Sequence, residues 1–271
     1  TVNATRSRRS FEEQPTRVEV LGGEEINEKA NMKPGDIRML LNESTGIYVQ
    51  QTSATSFNSS IRIKGLAGKY TQILRDGMPL YGGYSGGLSL LQIAPLDLQQ
   101  VEVIKGSNST LYGAGAIAGL VNLVTRQPAR EPENSLLLNG TTSSGIDASG
   151  FFSRRKDTIG STLFASYNTS DAYDPADNGL SAIPEFERWT FSPRIFIEGE
   201  NSELTFGVSA VMEDRLGGDM NYIKGNKATP AYFEKSKTAR YSSQLEYNYL
   251  YESDNELVIR NSVEPIVSFL R

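Results

Sequence analysis

Long stretches of alternating apolar and polar residues fill the second half of the chain and predict extended antiparallel strands. Apolar residues occupy every second position from Leu204 to Met212, and aromatic or small residues do so from Tyr241 to Tyr251. Polar turns are expected between the strands at residues 144–145, 156–157, 199–201 and 253–255. The strands are about ten residues long or more, longer than the five or six usual in soluble sheets. Length, alternation and tyrosines near strand ends are typical of transmembrane β-barrels, although a soluble antiparallel sheet alternates in the same way.

Two longer polar connections, 170–186 and 215–236, would suit the extracellular loops of such a barrel. The segment 127–134 is polar and carries two prolines, which indicates a linker. We therefore predict two domains, 1–130 and 131–271.

The first half has shorter periodic segments and predicts a mixed α+β domain. Two helices are expected at 24–30 and 34–42, the second with Pro34 in its first turn and one apolar face. The glycine-rich segment 79–92 indicates tight turns or close approach of a ligand. The expected strands are 16–21, 47–50, 61–64, 71–75, 100–105 and 120–125.

The amino-acid composition excludes several kinds of functional site from this stretch of chain. The chain has neither cysteine nor histidine, which removes thiolate metal sites, the commonest general base and the usual haem ligand from this stretch. A net charge of −5 leaves no basic footprint for nucleic acid. We therefore expect no enzyme activity, no cofactor and no metal site. The sequence has no run of about 18 apolar residues, so it could cross a membrane only with strands.

Two stretches of the first half, 61–79 and 101–126, carry a resemblance to a known family. Residues 61–66 read IRIKGL, residues 71–79 read TQILRDGMP, and residues 101–126 read VEVIKGSNSTLYGAGAIAGLVNLVTR. In order and spacing they closely resemble the plug domain of TonB-dependent outer-membrane receptors, and the resemblance covers about residues 4–128. It implies an α+β plug domain followed by antiparallel strands of an incomplete transmembrane β-barrel, which in the family has 22 strands. We expect the 271 residues to be part of a longer receptor.

The resemblance also assigns roles to the residues of the plug motif. Asp76 and Gly77 should close a tight hairpin, and Glu102 should offset basic neighbours. Lys64 and Lys105 stand at positions where the family usually has arginines that lock the plug to carboxylates of the barrel wall; lysine cannot form the bidentate fork of arginine. The remaining motif positions are Gly65, Gly106, Tyr112, Gly113, Gly119 and Asn122.

Substrate contact is expected from loops at the outer end of the plug, at 51–60, 66–70 and 79–88. Aromatic side chains offer broad, rigid contact area. The candidate substrate-binding residues are Phe57, Asn58, Tyr70, Tyr81 and Tyr84.

The resemblance implies active uptake of a scarce, bulky substrate across the outer membrane of a Gram-negative bacterium. The expected partners are the TonB complex of the inner membrane, outer-membrane lipid and a small-molecule substrate such as a metal chelate. A ferric siderophore is the first expectation; haem, cobalamin or an oligosaccharide are alternatives. A receptor that signals without importing, and a soluble β-rich binding or adhesion domain, are alternatives of other classes.

Overall fold

A boundary between Arg126 and Gln127 divides the chain into two compact units, close to the boundary predicted at 130 and 131. The computed structural model describes residues 18–80, 90–106, 113–226, 231–251, 257–263 and 266–270. Within these ranges none of the helices has the length and hydropathy needed to span a bilayer.

The first unit is an α+β domain built on a five-stranded sheet in the order β1-β6-β7-β4-β5, in which β4 and β7 are parallel and the other pairs are antiparallel. A separate hairpin pairs β2 with β3. The strands are β1 Val18–Leu21, β2 Ile47–Gln51, β3 Ser59–Ile63, β4 Thr71–Arg75, β5 Met78–Pro79, β6 Leu98–Lys105 and β7 Gly119–Thr125. The helices are α1 Gly23–Met32 and α2 Arg38–Asn42, and short 3-10 turns cover Gly68–Tyr70 and Gly113–Ala116.

The second predicted helix was too long. It begins at Arg38, and Pro34 lies in a turn before it. The Asp36 carboxylate accepts the backbone N–H of Arg38 at 2.9 Å, which satisfies an otherwise unpaired donor at the helix start. The predicted apolar face is correct, because Ile37, Leu40 and Leu41 are buried in the core of this unit.

The second unit is an antiparallel sheet in which each of the strands β8 to β13 pairs with the next. β14 and β15 pair with successive parts of β13 along one edge. The strands are β8 Glu133–Gly140, β9 Ile146–Lys156, β10 Ile159–Ser170, β11 Glu185–Glu198, β12 Ser202–Gly218, β13 Phe233–Tyr251, β14 Leu257–Val263 and β15 Ile266–Leu270. A short helix, α3 Met220–Ile223, follows β12.

The connections of this sheet differ at its two ends. β11 and β12 are joined by the short turn 199–201, as predicted from the sequence, and β9 and β10 by the turn 157–158, one residue later than predicted. The longer connections 141–145, 171–184 and 219–232 lie at the opposite end. The predicted turn 253–255 lies outside the described residues. We call these ends the short-turn end and the long-loop end; outer-membrane barrels have short periplasmic turns and longer extracellular loops.

Candidate functional site

Asp76 and Gly77 form the two-residue turn between β4 and β5. Both have positive φ, 52° and 81°, as a type I′ hairpin turn requires. The Asp76 carboxylate accepts the backbone N–H of Thr125 at 2.8 Å and its hydroxyl at 3.1 Å. The turn is therefore attached to the end of β7, and it is more than a local reversal of the chain.

A chain of buried hydrogen bonds continues from this turn across the sheet. The backbone N–H of Gly77 donates to Asn122 Oδ1 at 2.9 Å, and Asn122 Nδ2 donates to Glu102 Oε2 at 2.9 Å. Gln100 Nε2 donates to the other Glu102 oxygen at 2.7 Å. Glu102 and Asn122 are fully buried. Four residues of the sequence motif, Asp76, Gly77, Glu102 and Asn122, thus meet in one place; we call the chain Gly77–Asn122–Glu102–Gln100 the buried network.

Lys105 lies at the end of β6 and is buried. Its ammonium group bonds the Glu19 carboxylate and the Thr45 carbonyl, both within the first unit. This contact differs from the expected pairing with a barrel carboxylate, which stays a prediction. Lys64 is exposed and has a positive φ of 50°, followed by Gly65 at 78°.

The motif glycines occupy constrained positions around β6 and β7. Gly119 has φ +150°, and a Cβ there would lie 2.3 Å from the Ile104 carbonyl oxygen. A side chain at position 119 would therefore force β6 and β7 apart. Gly106 has φ +135°, and Gly113 begins the 3-10 turn before β7. Tyr81, Tyr84 and Tyr112 lie outside the described residues.

Two of the predicted substrate-binding residues, Phe57 and Asn58, lie in the loop 52–58 between β2 and β3, which we call the Phe57 loop. Phe57 has a positive φ of 60°, uncommon for a residue with a bulky side chain. The Arg38 guanidinium carbon lies 4.8 Å and the Lys33 ammonium 5.7 Å from the Phe57 ring centroid, within cation–π range. Asn58 Oδ1 is buried and has no hydrogen-bond partner among the residues that the structure describes.

Asp36 fixes the position of Arg38. Arg38 Nε and an Nη donate to the two Asp36 oxygens at 3.0 and 2.9 Å, and Lys33 lies 4.0 Å away. Burial alone raises the pKa of Asp36, but the hydrogen bonds and charge of Arg38, with Lys33 nearby, outweigh burial and hold the pKa below its ordinary value. Phe57 thus lies beside two cations of a neighbouring segment, Lys33 and Arg38, which share Asp36 as their counter-ion. An aromatic ring beside a net positive charge suits an anionic or conjugated ligand. Sequence analysis missed Lys33 and Arg38, because only the tertiary fold brings them to Phe57.

Tyr70, a further predicted substrate contact, belongs to a different loop. It ends the 3-10 turn Gly68–Tyr70, and its half-buried side chain packs against the core of the first unit. Lys69 Nζ lies 5.0 Å from its ring centroid. A contact between Tyr70 and substrate stays a prediction.

In the strand sheet of the second unit, the apolar face is exposed and the polar face is buried, the reverse of a sheet in water. The face that carries Trp189, which we call the outer face, exposes large apolar side chains, whereas polar and charged residues on the inner face, such as Arg188 and Glu213, are buried. Exposed apolar side chains of the outer face are Leu136, Leu138, Ile146, Phe152, Ile159, Trp189, Phe191, Ile195, Ile197, Phe206, Val208, Met212, Tyr241, Leu245, Tyr247 and Tyr249. A soluble sheet would bury this face, so the arrangement favours contact with lipid.

Buried charges on the inner face are paired with one another. Arg188 Nη1 lies 3.3 Å and Arg215 Nη2 2.9 Å from the same Glu213 oxygen. Arg188 Nε also donates to Asn168 Oδ1 at 3.3 Å, and Asn168 Nδ2 donates to Asp147 at 2.7 Å. This inner-face ladder crosses β9 to β12 near the long-loop end and satisfies charges that burial would otherwise penalise.

The fold defines a class: an α+β plug domain followed by antiparallel strands of a transmembrane β-barrel that is open within this chain. Residues 10–120 match the family described as "TonB-dependent Receptor Plug Domain". The Vitamin B12 transporter BtuB of Vibrio vulnificus (strain CMCP6) is 28% identical over 248 residues, which cover 87% of this chain and 40% of that protein. Residues 10–120 thus form a plug domain of the TonB-dependent receptor type, and the chain as a whole is similar to members of that family.

Solved structures agree on the fold. The ferric yersiniabactin uptake receptor FyuA from Yersinia pestis superposes with a TM-score of 0.69 at 18% identity, covering 90% of this chain and 40% of that one. FpvA of P. aeruginosa bound to heterologous pyoverdines gives 0.72 at 15% identity, covering 99% of this chain and 36% of that one. The chain thus spans about 40% of the length of the relatives it matches.

Proposed function

We propose that the receptor containing this chain takes up a scarce, bulky substrate across the outer membrane of a Gram-negative bacterium, with energy supplied through TonB. The observation that carries the proposal is that one chain contains both a plug domain with the buried network and a strand sheet whose apolar face is exposed. In this proposal the plug is a two-state element that substrate and TonB bias together. The protein breaks no covalent bond in its substrate.

A ferric siderophore is the proposed substrate. Phe57, flanked by Arg38 and Lys33, would attract an anionic chelate whose conjugated groups can stack on an aromatic ring. Two of the structural neighbours point to such a substrate. FyuA is described as a ferric yersiniabactin uptake receptor, and the FpvA structure is a complex with a heterologous pyoverdine and iron. Cobalamin is the second candidate, because the BtuB relative aligned over most of the chain is named as a vitamin B12 transporter.

Growth of a deletion strain tests the proposal. The strain should lose growth on one source only, when single ferric siderophores, haem, cobalamin or glycans are supplied in turn. Uptake of that source by the wild type should stop when a protonophore collapses the energy supply. Normal growth of the deletion strain on every source would refute the transport function.

Binding by variants tests the site separately. Phe57→Ala should weaken binding of the identified substrate by roughly tenfold or more, as truncation of a central aromatic contact commonly does. Tyr48→Ala is the matched control, since Tyr48 is an exposed aromatic of β2 outside the Phe57 loop. Equal affinities of the two variants would exclude the Phe57 loop as a substrate site and leave the transport proposal intact.

A further inference from the structure

An apolar groove of about 500 Å³ crosses the outer face of the strand sheet between β8 and β12. Its floor carries small residues, Ala148, Gly150, Ala165 and Ala210. Larger side chains border it, among them Leu136, Phe152, Tyr167, Trp189 and Met212. Two neighbouring strands place small residues side by side, because Gly150 pairs with Ala165. Phe191 follows at the same level and separates this pair from Ala210.

One wall of the groove is fixed by ring contacts and a hydrogen bond. Tyr167 and Trp189 lie with their ring centroids 4.3 Å apart. The Trp189 indole N–H donates to Glu187 at 3.0 Å, so the ring is held at the long-loop side of the groove. A bordered, apolar concavity of this kind suits a flexible hydrocarbon chain, which can follow its shape without leaving polar groups unpaired.

The charges on the strands that line the groove are separated by sign. On the outer face Arg154 and Lys156 follow Phe152 along β9 toward the short-turn end, and both are exposed. Toward the long-loop end the same face carries Glu185, Glu187 and Asp214, the last in an ion pair with Lys237 at 2.7 Å. An occupant with an apolar tail and an anionic head would therefore place its head at the short-turn end.

Strand geometry fits such an occupant. Ala148 and Arg154 lie six residues apart on β9, which corresponds to roughly 20 Å of strand at about 3.3 Å per residue. If the short-turn end is periplasmic, as the proposed function requires, a head at Arg154 lies at the inner leaflet and the tail points toward the centre of the membrane.

We propose that this groove binds a single glycerophospholipid of the inner leaflet, one acyl chain in the groove and the phosphate at Arg154 and Lys156. The inference rests on the proposed outer-membrane function. Lipid A is the competing source of acyl chains and phosphate, but its phosphates would lie in the outer leaflet beside the exposed carboxylates of Glu185 and Glu187, where like charge repels them. Asp214 adds little to this repulsion, because Lys237 pairs with it.

Retention of lipid by the receptor purified in detergent tests the proposal. The receptor from outer membranes should retain one phospholipid in native mass spectrometry, and added phosphatidylglycerol should replace it. Ala165→Leu fills the groove and should lower occupancy about tenfold, the effect of losing roughly two buried methylene contacts. Ala148→Leu is a second groove-filling variant, in case the first fails to fold. The double variant Arg154→Gln, Lys156→Gln should lower the affinity for phosphatidylglycerol in particular.

Matched controls separate a site from general lipid contact. Val208→Leu alters the same outer face outside the groove, and Lys237→Gln removes a charge at the other end; both should keep wild-type occupancy. Equal lipid loss in the controls and the groove variants, unchanged retention in the groove variants, or selective retention of lipid A would each overturn the proposal. A receptor that lies in the outer membrane and transports substrate but retains no phospholipid refutes this inference alone. A receptor found outside the membrane fraction refutes the proposed function as well.

Discussion

Asn122→Ala tests whether the buried network stabilises the plug. Asn122 is fully buried, and its amide both accepts the Gly77 N–H and donates to Glu102. Alanine removes both hydrogen bonds and leaves a backbone donor and a carboxylate oxygen in the interior with one partner fewer.

The expected loss of stability follows from the two groups that lose a partner, the Gly77 N–H and the Glu102 carboxylate. Removing the partner of a buried polar group costs about 1–3 kcal/mol, and more when the group is charged. Because the two bonds share one side chain, they act as a unit and do not add independently. We expect a loss of about 3–4 kcal/mol in the free energy that protects the plug sheet, or roughly 100- to 1000-fold in the opening equilibrium.

Amide hydrogen exchange in the detergent-solubilised receptor measures this loss. The backbone amides of β6 and β7 should exchange roughly 100- to 1000-fold faster in Asn122→Ala than in the wild type. Asn31→Ala is the control, because Asn31 is exposed on α1 and a surface change of this kind shifts stability by about 0.5 kcal/mol or less. Unchanged exchange in β6 and β7 would show that the network does not stabilise the sheet.

Three further predictions concern the plug and the strand sheet. Gly119→Ala should destabilise the plug by about 3 kcal/mol or more, because its φ of +150° and the Ile104 carbonyl oxygen 2.3 Å from a Cβ leave no room; wild-type hydrogen exchange in β7 would contradict this. The lowered pKa of Asp36 stabilises the fold fully above the unfolded value of about 3.9 and progressively less as pH falls through the folded value. Unfolding measured from pH 6 to pH 2.5 should show an acid-dependent loss that Asp36→Asn lacks, and identical profiles would refute the assignment. Glu213→Gln removes the negative charge that pairs with the two buried arginines Arg188 and Arg215, and it should lower the stability of the strand sheet by about 3–5 kcal/mol. Heat-modifiable gel mobility measures this loss, and an unchanged transition temperature would argue against the inner-face ladder.

Local signals explain what the sequence predicted well. Asp76-Gly77 between two apolar runs is a turn signature that needs no knowledge of the tertiary fold, and the turn forms there. The predicted strand 71–75 coincides with β4 because apolar residues and a following turn define both ends. The second helix was predicted too long because Pro34 favours a first helical turn in general, whereas here Asp36 supplies the hydrogen bond that starts the helix at Arg38.

Contacts between distant segments could not be predicted in the same way. Glu102 and Asn122 meet because the register of β6 and β7 places them opposite each other, and no local period specifies that register. Likewise, Lys105 reaches Glu19 across the β1–β6 pair, a contact that the resemblance did not imply; the pairing with a barrel-wall carboxylate that it did imply stays a prediction. For Phe57, the aromatic residue was visible in the sequence but its two cationic neighbours were not.

The direction of burial, and not alternation itself, decides between a soluble sheet and a membrane sheet. Alternation from Leu204 to Met212 predicts a strand with two unlike faces in either case. In water, each large apolar side chain left about half exposed forgoes roughly 1 kcal/mol of the 1.5–3 kcal/mol gained by full burial. Trp189 and Phe191 are both 51% exposed, and more than a dozen outer-face side chains share this state. Their sum, on the order of 10–15 kcal/mol, equals the whole stability of a typical domain. A sheet with this outer face gains that free energy only where an apolar medium covers the face, which is why the burial pattern supports the proposed outer-membrane location more strongly than strand length or tyrosine placement does.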